Sequence, residues 1–197
     1  EAESIAELVQ NESFTAGVME PDRDKLFDRL EEYMSDVKKD YSKVIIEQLI
    51  SSYNRSHRIL MNTNGVEFSY EHGGYDISSM FSAHEGEKAS SFIGYGGFFT
   101  KLDRKLIDFG MMRTLLAESE RQLDTKPVEG KFVGKVVITP ACLDGILMTL
   151  FGNFISDATL IDGTSPWRNR LGQKVASEKL SISTIPLDDR VVCGERF

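Results

Sequence analysis

The spacing of apolar residues changes period at Lys43, and that change restricts the chain to folds that pair helices with a sheet. Before it, Leu26, Phe27, Leu30, Tyr33, Met34 and Val37 fall at offsets 0, 1, 4, 7, 8 and 11. That is one stripe of a 3.6-residue period. Pro21 and Asp22 mark its start, and acidic residues crowd its first half, where the helix dipole favours them. The spacing predicts a helix over 22–39. From Lys43 to Leu102 the period becomes two. Val44–Tyr53 and Arg58–Asn62 are strand-like, and Thr63-Asn64-Gly65 offers a turn able to take positive φ. Val66–Tyr70 alternates as a half-buried strand does, Gly73-Gly74 reads as a break, and Tyr75–Ala83 and Ala89–Phe99 read as two further strands. The pattern predicts an antiparallel sheet of about four or five strands.

The rest of the chain returns to helix and then mixes. Asp103–Leu123 carries a helical stripe of Leu106, Ile107, Met111, Leu115 and Leu116, interrupted by Gly110. Residues 125–134, with Pro127, Gly130 and Gly134, form the best linker. Lys135–Thr139 reads as a short strand, and Pro140 suits the first turn of a helix. That helix runs to about Ser156 and is apolar around most of its circumference, so it is expected to be buried on nearly all sides. Lys179–Ile185 alternates again, and Pro186–Asp189 makes a turn. The expected class is α+β. An antiparallel sheet flanked by helices fills residues 1–124, and the start of a second mixed α/β domain with a buried helix fills 135–197. Residues 1–20 read as a leader from an upstream domain. The strand-like end Val191–Phe197 suggests a piece of a longer protein.

Composition narrows the function. The net charge is −8, and basic residues are thinly spread with no run longer than Lys38-Lys39, so direct nucleic-acid binding is not expected. No apolar stretch of about 18 residues is present, so no membrane helix is expected. Cys142 and Cys193 are too few and too far apart for a disulfide framework or a CxxC zinc site, and fit a reducing cytosol.

Few residues announce chemistry by themselves. His84-Glu85 begins like a metalloprotease HExxH, but Lys88 occupies the second histidine's place and the pair falls on a hairpin tip. His72 beside Gly73-Gly74 reads as a turn residue, and His57 as a surface one. Gly94-Tyr95-Gly96-Gly97 lacks the following helix of a dinucleotide site and reads as a strand bend or bulge. Asp188-Asp189 is an acidic pair at a turn. Ser165, Ser177 and Ser181 have no histidine placed to suggest a triad. Trp167 with Arg168 and Arg170 reads either as a contact surface or as a packed tryptophan.

Several segments in order carry a family resemblance. They are Val136-Val137-Ile138 with Pro140, the helix containing Gly145-Ile146-Leu147, Gly163-Thr164-Ser165, Leu171–Ser177, and Asp188-Asp189, with Asn62-Thr63-Asn64-Gly65 upstream. This pattern resembles the TldD/PmbA family, also labelled modulators of DNA gyrase. The resemblance implies a helix that in the TldD kind carries a zinc-protease HExxxH and in the PmbA (TldE) kind lacks it. Counted back from Gly163-Thr164-Ser165, the motif's first histidine, glutamate and second histidine fall on Met148, Thr149 and Asn153. A thioether is too soft for Zn²⁺, an amide oxygen is weak, and a threonine cannot serve as general base. The resemblance therefore implies a PmbA/TldE-like chain with no catalytic residue, no metal ligand and no cofactor of its own. Its implied partners are a TldD-like protease subunit or a second copy, and an unfolded peptide, in the cytoplasm. Two other readings remain open: a peptidase with its ligands elsewhere in a longer chain, and a protein that modulates gyrase by binding it.

Overall fold

The computed structural model describes residues 11–183, apart from Asn64 and Phe132. The chain divides into two compact units between Pro127 and Val128. Expectations for the leader before Asn11, for Asp188-Asp189 and for Val191–Phe197 fall outside the described residues.

In the first unit, helix α1 spans Arg23–Asp40. Asp22 caps it, its side chain accepting from the Lys25 N–H at 3.0 Å, and Lys38 and Lys39 occupy its last turn. This capping satisfies an orphan donor at one end and suits the dipole at the other. The apolar stripe is split by the structure. Tyr33 and Val37 are buried, while Phe27 and Met34 are 62% and 46% exposed.

The sheet has five strands: β1 (Asn11–Gly17), β2 (Val44–Met61), β3 (Glu67–Glu85), β4 (Lys88–Ala89) and β5 (Ile93–Phe99). β3 is the organising strand. β2 pairs with it antiparallel from Val44↔Ala83 to Met61↔Glu67, with one bulge at Glu47. The other edge of β3 is shared: β1 pairs parallel from Asn11↔Glu67 to Gly17↔Gly73, and β5 antiparallel from Tyr75↔Phe99 to Phe81↔Ile93. The sheet is thus mixed rather than antiparallel throughout, because a strand lies in the stretch expected to be a leader. β2 and β3 are each continuous where breaks were expected. Gly73 and Gly74 keep β3 in register by admitting neighbours: a Cβ on Gly73 would sit 2.0 Å from the Val18 carbonyl oxygen, and one on Gly74 would sit 2.5 Å from the Phe98 ring. These glycines mark close approach, not a turn.

After β5 a short 3₁₀ turn, Leu106–Asp108, precedes helix α2 (Met112–Arg121). The single long helix expected here is divided at Gly110. Its φ is +50°, and a Cβ there would lie 2.2 Å from the Tyr95 hydroxyl, which accepts from the Met111 N–H at 3.1 Å. The core lies between one sheet face and the helices, built from Tyr33, Val37, Tyr75, Ile77, Phe81, Ile107 and Leu116. Tyr33 donates its hydroxyl to Ser79 Oγ at 3.0 Å, and the Asp22 N–H donates to the Tyr75 hydroxyl at 2.7 Å, so α1 is tied to β3 at two points. Lys105 bridges Asp36 and Glu32, and those carboxylates raise its pKa, Asp36 most.

The second unit holds helix α3 (Pro140–Leu150) and a short helix α4 (Asp157–Ile161). Pro140 stands in its first turn, as expected. Residues 135–139 and 179–183 form no strand. The expectation of a helix buried on all sides is not met in this chain: Leu143, Ile146 and Met148 are 42%, 47% and 61% exposed.

Phe81 is fully buried at the centre of the β3 core. Phe81→Ala is expected to destabilise the first unit by about 3–5 kcal/mol, through lost burial and an unfilled cavity. Thermal or urea unfolding measures it.

Candidate functional site

The helix that should hold a metal site does not end as an ordinary α-helix. Past Leu150 it widens into a π-helical turn over Phe151–Ile155, closed by the Ser156 N–H donating to the Phe151 carbonyl at 2.9 Å. Such wide turns inside helices are frequent at functional sites. Of the three positions of interest, Met148 and Thr149 precede it on α3 and Asn153 lies within it. Met148 is exposed on α3 and offers only a thioether. Thr149 donates its hydroxyl to the Gly145 carbonyl at 2.8 Å. Asn153 donates its side-chain amide to the Thr149 carbonyl at 3.0 Å. The donors of Thr149 and Asn153 are thus turned back onto their own helix, in the i→i−4 pattern open to short polar side chains. The set fits no divalent cation: it has one soft sulfur, one hydroxyl and one amide, and no imidazole, thiolate or carboxylate. Among the described residues no group of three or more His, Cys, Asp or Glu side chains is placed to hold a metal ion.

The Gly163-Thr164-Ser165 segment folds back onto the wide turn, which sequence reasoning missed. Ser165 is 3% exposed. Its hydroxyl donates to the Phe154 carbonyl at 2.6 Å and accepts from the Trp167 N–H at 3.0 Å, while its own N–H donates to the Thr159 carbonyl. Gly163 takes φ +69°, and its carbonyl accepts from Arg168 at 2.8 Å. The Trp167 ring packs on Phe154 with centroids 4.9 Å apart. Trp167 is therefore a packed residue, half-buried against the turn. The available signal was Gly163 followed by the hydroxyl residues Thr164 and Ser165 and then by Pro166, the composition of a turn with side-chain hydrogen bonds.

The remaining candidates are scattered over the first unit. His84 lies at the end of β3, at the hairpin tip as expected, 2.9 Å from Ser82 Oγ and 3.6 Å from Glu47. His72 is not in a turn. It lies within β3 between the Tyr70 and Phe98 rings and shares a hydrogen bond with Ser56. His57 pairs with Ser69 at 2.8 Å on the exposed sheet. Gly94–Gly97 forms neither a bend nor a bulge, since β5 holds an unbroken register with β3. The reason for Gly97 is the Phe109 ring, which a Cβ would approach to 2.6 Å. Ser177 and Ser181 are exposed.

Two family profiles fit this arrangement. The PmbA/TldA metallopeptidase central domain matches residues 16–121, and the PmbA/TldA metallopeptidase C-terminal domain matches residues 130–194. The chain belongs to the PmbA/TldD family. α3, its wide turn and the Ser165 clamp all lie in the part matched by the family's C-terminal domain. No curated protein matches the chain. Among solved structures it is similar in fold to TldE from Thermococcus kodakarensis, with a TM-score of 0.53 at 12% identity. That likeness covers 77% of this chain and 34% of TldE, so the chain spans about a third of TldE's length. No helix among the described residues is long and apolar enough to cross a membrane.

Ser165→Ala removes the partner of the Phe154 carbonyl and the acceptor for Trp167. Each buried hydrogen bond left unmade costs about 1–3 kcal/mol. The variant is expected to exchange its amide hydrogens faster across residues 150–168, with exchange in β2 and β3 unchanged. Hydrogen-exchange mass spectrometry separates the two.

Proposed function

We propose that the chain is part of a TldE-like, non-catalytic subunit that works with a TldD-like protease subunit in a cytosolic complex acting on unfolded peptides. In this reading residues 1–124 belong to the family's N-terminal and middle region, 125–134 are a linker, and 135–197 begin the C-terminal domain. The observation that carries it is the identity of Met148, Thr149 and Asn153 on an otherwise intact helix and turn. Catalysis by a metal-bound water needs ligands that hold the ion and a base that takes the proton. None of the three side chains can do either, and two of them already donate to helix carbonyls. What the segment supplies is shape: a wide turn held by Ser165 and faced by Trp167, able to form part of the wall around a peptide that another subunit cuts.

The test is a peptidase assay on the full-length protein, incubated with Zn²⁺ and given an unfolded peptide. Alone it should show no cleavage that a chelator abolishes, and cleavage should appear when a TldD-like subunit is added. Chelator-sensitive cleavage by the protein alone would overturn the proposal and favour a peptidase whose ligands lie elsewhere in the longer chain.

A further inference from the structure

The sheet face that points away from the helices is hollow in its middle. Two cross-strand rows line the hollow: Ile50, Ser78 and Gly96 in one, and Ser52, Asp76 and Phe98 in the next. The open trough over them has a volume of about 620 Å³. Gly96 lowers its floor to the backbone, and it has to be glycine, because a Cβ there would lie 2.3 Å from the Ile77 carbonyl oxygen. Asp76 is exposed, and among the described residues no lysine, arginine or histidine lines the trough with it. The Asn54 side-chain amide donates to its carboxylate at 2.6 Å and to the Ser52 hydroxyl at 3.1 Å. That neutral contact orients the carboxylate and leaves its charge uncompensated. Glu71, Asp36 and Asp108, by contrast, each face an arginine or a lysine. Phe98 is half-buried beside Asp76. Its ring lies over Gly74, where a Cβ would meet it at 2.5 Å.

We propose that this trough is a recognition site for an arginine side chain of the peptide on which the complex acts. The inference rests on the peptide reading above and adds to it a residue that the peptide carries. The argument is charge and shape together. A guanidinium is a plane with five donors and no acceptor. The trough offers it acceptors, with the Asp76 carboxylate between the hydroxyls of Ser52 and Ser78. The same plane can stack on the Phe98 ring, while the aliphatic stem lies along Ile50. Recession below the neighbouring side chains reduces the screening of the pair by water, so the contact is worth more there than on an open surface. A lysine ammonium answers the charge but has neither the planar fork nor the stacking face. An acidic side chain meets only like charge.

The experiment measures, by fluorescence anisotropy, the binding of short labelled glycine-serine peptides to the full-length protein. Each peptide carries one central arginine, lysine, glutamine or glutamate. The arginine peptide should bind about tenfold more tightly than the glutamine one, as a charge-assisted hydrogen bond warrants, with lysine between them. Asp76→Asn keeps the side chain's shape and should bring the arginine peptide down to the glutamine level. Asp76→Lys should reverse the order, so that the glutamate peptide binds best. Both variants should melt with the unaltered protein, because Asp76 is exposed. Phe98→Leu should remove the advantage of arginine over lysine. No measurable binding of the arginine peptide, equal binding of the arginine and glutamine peptides, or an arginine preference that survives Asp76→Asn would each overturn the proposal. The chelator assay tests the subunit assignment separately, so the two can fail independently.

Discussion

Everything in the first unit depends on β3 being one uninterrupted strand. From Glu67 to Ala83 it is paired with β2, and its other edge is divided between β1 and β5. A strand of 19 residues lined on both sides stays in register only if nothing along it forces a kink. Gly73 and Gly74 meet that condition at the crowded point where β1 and β5 both end, by leaving room for the Val18 carbonyl and the Phe98 ring. The register then fixes which β3 residues face the helices. Tyr75, Ile77, Ser79 and Phe81 do, and Tyr33 and the α1 cap attach to two of them. A one-residue slip would turn all of them outward.

The legible parts of the sequence were those where local pattern and tertiary packing agree. The α1 stripe, the Asp22 cap, Pro140 at the start of α3 and the hairpin around Glu85 all follow from rules that act within a few residues. The parts that were not legible depend on distant partners. β1 carries too few apolar residues to announce a strand, and it is one because β3 offers a parallel edge. Gly73-Gly74 and Gly94–Gly97 look like punctuation along the chain, yet each admits a neighbour from elsewhere in it. Gly110 looked like a weak point inside a helix and proved to be the residue that starts it later, under the Tyr95 hydroxyl. Phe27 and Met34 show the same limit, since periodicity alone counted them as core.

For the site, residue identity was informative and geometry was not. The positions Met148, Thr149 and Asn153 could be named from the resemblance and their donor chemistry judged from side-chain type. The wide turn after Leu150 could not be seen, because an apolar run gives no sign of where an α-helix loosens. Nor could the role of Ser165, which answers that turn by accepting and donating at once. In this segment Thr149 and Asn153 donate to carbonyls of their own helix, and Met148 offers only a thioether.

The side chains of Met148, Thr149 and Asn153 leave α3 and its turn without a seat for a divalent cation. The most direct measurement is the metal content of the purified full-length protein by inductively coupled plasma mass spectrometry, after dialysis against buffer with a slight excess of Zn²⁺ and removal of the loosely bound ion. Far less than one zinc per chain is expected. A retained zinc at one per chain that is lost when Met148, Thr149 and Asn153 are replaced by alanine would contradict it.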